Sequence, residues 1–179
     1  NRILAAGNAD GLKVKDGSRA PEQVYEKLGL SDMKELLSNP MSSVETAYPY
    51  PTTEPGMARV TSRVISADTM SSARKRAKAV GATANDLLVT AFYRAYAAMD
   101  GVDAAAPMSV SSMMDLRRHC VDGESEGLCN MSGSFMTLLE NGVQQSFGET
   151  LAIIAEQTTK VKENPLAGLE GMPIVHALA

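Results

Sequence analysis

The sequence predicts an α+β fold in which helices pack on a mixed β-sheet. Residues 57–64 alternate apolar and polar side chains, which is typical of a half-buried strand, and 108–116 and 131–139 are two further strand candidates. Apolar residues recur at helical spacing twice after 57–64 and again after 131–139. Two adjacent helices before a strand do not fit an alternating doubly wound sheet, so helices on one side of a mixed sheet are the better interpretation.

The chain is predicted to divide near residue 56. Residues 1–56 are interpreted as an irregular linker with short helices at 21–28 and 31–37, because glycine, aspartate and proline interrupt any longer element. Clustered prolines at 48–56 indicate an extended connection. Residues 57–179 are interpreted as part of a larger lobe that is truncated at both ends, since the chain opens without Met and stops without a closing signal.

The helix that follows Gly81 has the clearest signals. Thr83 as N-cap and Asp86 three residues later form a predicted capping box. The apolar positions after them share one helical face, which is predicted to pack against the sheet or another helix. These positions are Ala84, Leu87, Leu88, Ala91, Phe92, Ala95 and Met99.

Two other long helices are predicted. The first is capped by Ser66 or Asp68 and ends near Val80. The second begins at a capping box of Ser146 and Glu149 and ends before 164–165, an Asn-Pro pair. Its predicted core face consists of Phe147, Leu151, Ile154, Thr158 and Val161.

Composition and charge exclude several classes of function. A net charge of −4 argues against a general nucleic-acid binder. No apolar run reaches the roughly 18–20 residues that span a bilayer, and no signal-peptide pattern is visible, so the predicted location is cytoplasmic. The two histidines and two cysteines do not form a metal-ligand pattern, so no metal site is predicted.

Three segments together resemble condensation-type acyltransferases. Residues 81–88 (GATANDLL) resemble the Gly-x-Thr-x-Asn-Asp helix start of that family. Residues 114–118 (MDLRR) resemble its "DLR" strand end, and 130–135 (NMSGSF) resemble its later Asn-x-x-Gly-x-Phe strand. Order and spacing agree with the family, and the resemblance covers roughly 57–163. The family includes nonribosomal condensation domains, wax ester synthase-like enzymes and alcohol acetyltransferases.

The resemblance implies a C-terminal lobe of the two-lobed chloramphenicol acetyltransferase-like fold. It also implies transfer of an acyl group from acyl-CoA, or from a phosphopantetheine-linked donor on a carrier protein, to an alcohol or amine. These donors are substrates, and no resident cofactor is expected. In the family, a histidine of a His-His-x-x-x-Asp-Gly motif acts as the general base on the acceptor.

That histidine motif is missing here, so the resemblance assigns no catalytic residue. Residues 119–123 (HCVDG) are one residue too short and follow the "DLR" segment instead of preceding it. Residues 5–11 have the Asp-Gly tail but carry Ala5 and Ala6 where the histidines would stand. Truncation, with the motif on an absent N-terminal lobe, is the favoured interpretation; an inactive relative and a false resemblance are the alternatives.

The resemblance implies roles for two groups of residues. Asn130, Ser132 and Ser134 would face the acyl channel and bind substrate, since a polar group there can hydrogen-bond a developing oxyanion. Asp115 and Arg117 would support the active site, with Arg117 holding the histidine loop across the lobe interface. The alternatives are a surface cation at a strand end for Arg117 and a backbone-bonding asparagine for Asn130.

A second supporting pair is Asn85 and Asp86. The resemblance places them beside the active site, whereas their positions after Thr83 favour a purely structural helix start. The favoured hypothesis is an acyltransferase lobe that is inactive alone and pairs with an absent N-terminal lobe or a partner chain. The alternatives are a non-catalytic interaction module that binds a carrier protein or partner chain, and an unrelated globular protein. A cut lobe would expose apolar surface and is expected to self-associate or bind a partner.

Overall fold

The computed structural model describes residues 17, 22–29, 44, 60–120, 127, 130–143 and 146–169. Its elements are α1 (Glu22–Lys27), α2 (Ala67–Ala79), α3 (Ala84–Ala97), β1 (Met108–Asp115), the 3-10 helix η1 (Leu116–His119), β2 (Ser132–Leu139) and α4 (Phe147–Glu163). None of these helices is long and apolar enough to cross a membrane. The predictions for 31–37 and 48–56 fall outside the described residues.

The long helices begin where the sequence predicts. Ser66 accepts a hydrogen bond from the first turn of α2. Thr83 with Asp86, and Ser146 with Glu149, form reciprocal capping boxes at the starts of α3 and α4. Because these signals are local, the positions of the helices along the chain follow directly from the sequence.

The two strands pair antiparallel along their whole length. The register runs from Met108 opposite Leu139 to Asp115 opposite Ser132. Together with the helices that pack on them, these strands confirm the α+β class. Within the described part of the chain the sheet is antiparallel and two-stranded, so the expectation of a mixed sheet is wrong there.

The main core lies between the sheet and helices α3 and α4. It is formed by Val89, Tyr93, Met108, Leu139, Val143 and Ile154. Inside it, the Tyr93 hydroxyl donates to the backbone carbonyl of Thr137 at 2.6 Å. A smaller cluster joins α2 to this body through Ala77, Ala82, Leu151 and Ala155.

A second core lies at the end of the sheet where β1 stops. It is formed by Val24, Tyr25, Leu116, Cys120, Met131 and Leu169. The backbone N–H of Leu116 donates to the carbonyl of Met131 at 2.7 Å, which joins η1 to the start of β2. Because Leu116 directly follows β1 and Met131 directly precedes β2, this core packs against that end of the sheet.

The buried face of α3 differs from the predicted one. Leu88 and Phe92 are 54% and 58% exposed, whereas Asp86, Thr90 and Tyr93 are buried. Each of these buried polar groups has a partner, which removes the penalty that normally keeps such residues outside. Part of the apolar stripe counted from the sequence therefore faces away from the core, whereas Leu87 packs against the cluster that joins α2 to the main core. We call Leu88, Ala91, Phe92 and Ala95 the α3 outer face.

The strand predicted at 57–64 is also wrong where it is described. Residues 60–66 have no regular secondary structure, and Val60 and Val64 are almost fully exposed. Their alternating pattern has no pairing strand among the described residues, and an unpaired strand has no backbone hydrogen bonds to hold it.

The core face predicted for α4 is confirmed at three positions: Leu151, Ile154 and Thr158 are buried. Phe147 and Val161 are not fully buried.

Candidate functional site

Among the described residues, helices cover one face of the sheet. On the other face, which we call the open face, Val44 exchanges hydrogen bonds with the Ser109 side chain, far from the Asp115 end. Because cross-strand partners share a face, Asp115 lies beside Ser132, and Met113 lies beside Ser134. Asp115, Ser132 and Met113 are exposed and Ser134 is half-buried. This pairing brings two segments that are distant in sequence to one open surface.

Five of the seven predicted site residues come together here. They are Asp115, Arg117, Asn130, Ser132 and Ser134, which we call the sheet-end cluster. They arrive from the end of β1, the start of η1 and the start of β2. The register of the two strands is what assembles them.

Asp115 and Arg117 form a compact turn at the end of β1. Asp115 Oδ1 accepts hydrogen bonds from the Arg117 backbone N–H at 3.0 Å and from its guanidinium at 3.1 Å. The backbone bond, followed by the bond and charge of the guanidinium, lowers the pKa of Asp115 from its usual value. Asp115 therefore stays ionised at neutral pH and holds the Arg117 guanidinium at the edge of the open face.

Asn130 forms a matching turn at the start of β2. Its side-chain carbonyl accepts a hydrogen bond from the Ser132 backbone N–H at 3.1 Å. Asn130 is thus engaged with backbone, in agreement with the structural alternative for this residue. The hydroxyls of Ser132 and Ser134 form no hydrogen bond with any described residue. Within the described part of the chain, the open face thus carries two serine hydroxyls without a hydrogen-bond partner.

The sheet-end cluster rests on a closely packed support. A Cβ on Gly133 would collide with the carbonyl oxygen of Gly168 and approach Leu116 to 2.7 Å. The Arg118 guanidinium donates to the carbonyl of Lys162 at 2.6 Å, which ties η1 to the end of α4. Packing on the side of the sheet opposite the open face fixes the direction in which the open face presents its side chains.

Asp86 lies apart from this cluster, at the buried start of α3. Its Oδ2 accepts from the Thr83 N–H and hydroxyl at 2.7 and 2.8 Å, and its Oδ1 accepts from the Thr158 hydroxyl at 2.8 Å. Burial alone raises the pKa of Asp86, but these hydrogen bonds and the charge of Lys162 outweigh it and lower the pKa. Asp86 has a structural role here, and the neighbouring Asn85 is exposed.

Two methionines were missed by the sequence analysis. Met113 is 71% exposed beside Ser134, and Met136 lies half-buried two residues further along the same face of β2. The alternation within 131–139 was enough to place Met136 with Ser132 and Ser134. The position of Met113 depends on the strand register, for which the sequence carries no local signal.

The described residues do not hold a group of ligands suited to a metal. His119 is the histidine that lies within the described residues. Its Nε2 is 3.1 Å from the carbonyl oxygen of Ala167, so it belongs to the packing beneath the sheet-end cluster and not to the open face. The open face therefore offers hydroxyls, a carboxylate and a guanidinium. Such groups can bind and orient a carbonyl compound, but among the described residues an imidazole base does not stand beside them.

Comparison with known proteins gives a fold but no family. No family model matches the chain, and no curated protein matches it. A solved structure, that of polyketide synthase associated protein 5 from Mycobacterium tuberculosis, is similar with a TM-score of 0.63 and 15% identity. The match covers 93% of this chain and 43% of that protein, so the chain spans less than half the length of its structural neighbour.

Proposed function

We propose that this chain is the C-terminal lobe portion of a condensation-like acyltransferase, which moves an acyl group from a thioester to an alcohol or amine. The catalytic histidine would belong to an N-terminal lobe. The observation that carries the proposal is the sheet-end cluster: the "DLR" and Asn-x-x-Gly-x-Phe segments resemble one family separately, and the strand register sets them side by side.

The serine hydroxyls would contact the substrate. Ser134 and Ser132 are hydrogen-bond donors on an open face, and a donor aimed at the thioester carbonyl stabilises the negative charge that develops on its oxygen. Met113 and Met136 would provide adaptable apolar contacts to the acyl chain. Binding through a few donors and soft apolar side chains suits a substrate whose acyl length varies.

Arg117 would act at the lobe interface. Its guanidinium is already oriented by Asp115 and would bridge that carboxylate and the aspartate of the histidine motif. Such a bridge holds the histidine loop in place. It makes Arg117 a positioning residue that does not touch the acyl group.

The partner follows from the same proposal. A thioester donor is held by free CoA or by a phosphopantetheine arm on a carrier protein. The structural neighbour is named as a polyketide synthase associated protein, which makes a polyketide synthase a candidate source of the donor for this chain as well. The location would be the cytoplasm, where both kinds of donor are present.

Reconstitution tests the activity. The coding sequence upstream of Asn1 is read for a histidine pair, and the lobe that carries it is produced separately and mixed with this chain. We expect acyl transfer from acetyl-CoA or an acyl carrier only in the mixture. Ser134→Ala should lower kcat about 100-fold or more, as for loss of one oxyanion donor. Ser72→Ala, on α2, is the matched control. A correctly docked pair without activity would refute the proposal.

A non-catalytic interaction module is the second candidate. The α3 outer face favours it, because Leu88 and Phe92 leave an apolar helix surface uncovered by the described residues. Leu88→Glu with Phe92→Glu should abolish binding to the partner in a pull-down while Ser134→Ala leaves it unchanged. In an enzyme lobe, both variants would lower acyl transfer.

A further inference from the structure

A groove separates α2 from the start of α4. Its volume is about 710 Å³, within the roughly 300–1,000 Å³ of small-molecule sites. Ala77 and Leu151 form its buried floor, and Val80, Leu87 and Phe147 form its apolar walls. None of the sheet-end cluster lines it.

The shape of the groove comes from small residues between large ones. Ala73, Ala77 and Gly148 stand where larger side chains would fill the space, and a Cβ on Gly148 would meet no atom within 4 Å. Val80 and Phe147 at the rim remain 65% and 40% exposed. An apolar ligand in this groove would cover both side chains, which favours its binding.

The charged side chains that line the groove indicate which kind of head group a ligand there would carry. Arg76 lines the groove and forms no ion pair or side-chain hydrogen bond with any described residue. Asp68 also lines it, but eight residues along one helix place it about 12 Å from Arg76. Arg74, Lys75 and Lys78 line a neighbouring face of α2. The Arg76 end of the groove is therefore positive in a chain whose net charge is −4.

We propose that this groove binds a single-chain amphiphile with an anionic head, such as a long-chain fatty acid. The alkyl chain would lie over Ala77 and Leu151, and the carboxylate would pair with Arg76. A guanidinium and a carboxylate form a charge-assisted hydrogen bond, which is stronger than one between neutral groups. This site is separate from the sheet-end cluster and does not depend on acyl transfer.

Displacement of a fluorescent fatty acid by monomeric palmitate from the full chain tests the proposal. We expect saturable binding with one site per chain. Arg76→Gln should weaken palmitate binding about fivefold, as for loss of one partly exposed ion pair, and should leave hexadecanol binding unchanged. Arg74→Gln is the matched control, because Arg74 lies outside the groove, and it should bind palmitate like the parent chain.

Ala73→Phe provides a second variant that fills the groove. It should abolish binding of both palmitate and hexadecanol while circular dichroism shows an unchanged fold. Three results would overturn the proposal: absence of saturable binding, equal losses in Arg76→Gln and Arg74→Gln, or binding confined to anionic vesicles. The last result would indicate adsorption to a charged surface through α2. If Ala73→Phe does not fold, the comparison of the two arginine variants still decides the question.

Discussion

Asp86 is a buried carboxylate whose stability depends on complete hydrogen bonding. Asp86 is 1% exposed, and an unpaired charge at such a buried position would be strongly destabilising. Three donors from Thr83 and Thr158 satisfy both oxygens. The same side chain thus caps α3 and joins it to α4.

Asp86→Asn should destabilise the chain. The amide keeps one acceptor oxygen for Thr83 but loses the charge, and its nitrogen can only donate to the Thr158 hydroxyl, which must then donate to the Ala155 carbonyl instead. We expect a loss of roughly 2–3 kcal/mol in the free energy of unfolding, measured by urea denaturation. Asp68→Asn, in the exposed first turn of α2, is the control and should cost less than about 1 kcal/mol. Equal losses would contradict the buried network.

The lowered pKa of Asp86 predicts acid sensitivity with a definite sign. A carboxyl whose pKa is lower in the folded state stabilises the fold above its unfolded pKa, near 4, and loses that contribution as pH falls through the folded pKa. The stability difference between the parent chain and Asp86→Asn should therefore shrink below about pH 4. Asp115, Glu149 and Glu156, whose pKa values are also lowered, are present in both proteins and cancel. A constant difference from pH 7 to pH 2 would refute this assignment.

At the residue scale, the sequence predicts bonds between near neighbours and misses bonds between distant ones. Thr83 and Asp86 are three residues apart, so their spacing alone indicated the capping box. Thr158 lies 72 residues from Asp86, and their contact depends on how α3 packs on α4. Local spacing carries no information about that packing.

At the element scale, the outer edge of β2 is held by a side chain from α4. Gln157 accepts a hydrogen bond from the Leu138 N–H at 2.8 Å and donates one to the Leu138 carbonyl at 2.6 Å. The amide group thus imitates a neighbouring strand at this position. It satisfies an edge that would otherwise expose unpaired backbone.

Gln157→Leu should loosen this edge. Both backbone groups of Leu138 lose their partner, and we expect a cost of roughly 1–3 kcal/mol in the free energy of unfolding. Faster amide hydrogen exchange at Leu138 would locate the effect. Glu156→Gln removes an exposed ion pair with Lys160, which solvent screens, and should leave the free energy of unfolding nearly unchanged. Unchanged exchange at Leu138 would contradict the role given to Gln157.

Two glycines with opposite surroundings give a matched pair of substitutions. Gly133→Ala places a Cβ against the Gly168 backbone and Leu116, so it should destabilise the chain by roughly 1–3 kcal/mol. Gly148→Ala places a Cβ in open space within α4 and should stabilise it by roughly 0.5–1 kcal/mol. Thermal unfolding measures both shifts. A stable Gly133→Ala variant would show that the sheet end is not tightly supported.

The buried face of α3 shows where element-level prediction fails. Apolar spacing predicted that Leu88 and Phe92 face the core, but the core accepts Thr90 and Tyr93 instead. Hydropathy counts polar groups as outward-facing because it omits the partners that satisfy them. The helix bounds were predictable from caps, whereas its rotation about its axis was decided by hydrogen bonds to distant residues.

At the scale of the whole molecule, two broad surfaces are largely uncovered by the described residues. One is the open face of the sheet, which carries the sheet-end cluster, and the other is the α3 outer face. The similar solved structure is more than twice as long as the matched region. These features agree with the proposal that the chain works as one part of a larger assembly.

The sequence predicted the residues of the sheet-end cluster but not that they lie side by side. Asp115 with Arg117, and Asn130 with Ser132 and Ser134, were found as two separate sequence segments. The antiparallel register from Asp115 opposite Ser132 onward joins them into one surface. That register depends on packing of the whole sheet, which is why the neighbouring Met113 was missed.

Methionine-methyl NMR tests the central claim most directly, because Met113 and Met136 flank Ser134 while Met108 and Met131 are buried elsewhere. The chain is labelled with [methyl-13C]methionine and titrated with acetyl-CoA, with CoA alone as the reference and single Met→Leu variants for assignment. The account predicts saturable, acetyl-dependent shifts at Met113 and Met136, with affinity lowered in Ser134→Ala and no comparable shifts at Met108 and Met131. If the methyl groups of Met113 and Met136 respond neither to acetyl-CoA nor to an acyl-phosphopantetheine donor, even when this chain is docked with the N-terminal lobe, the open face of the sheet is not a thioester site and the proposed function is wrong.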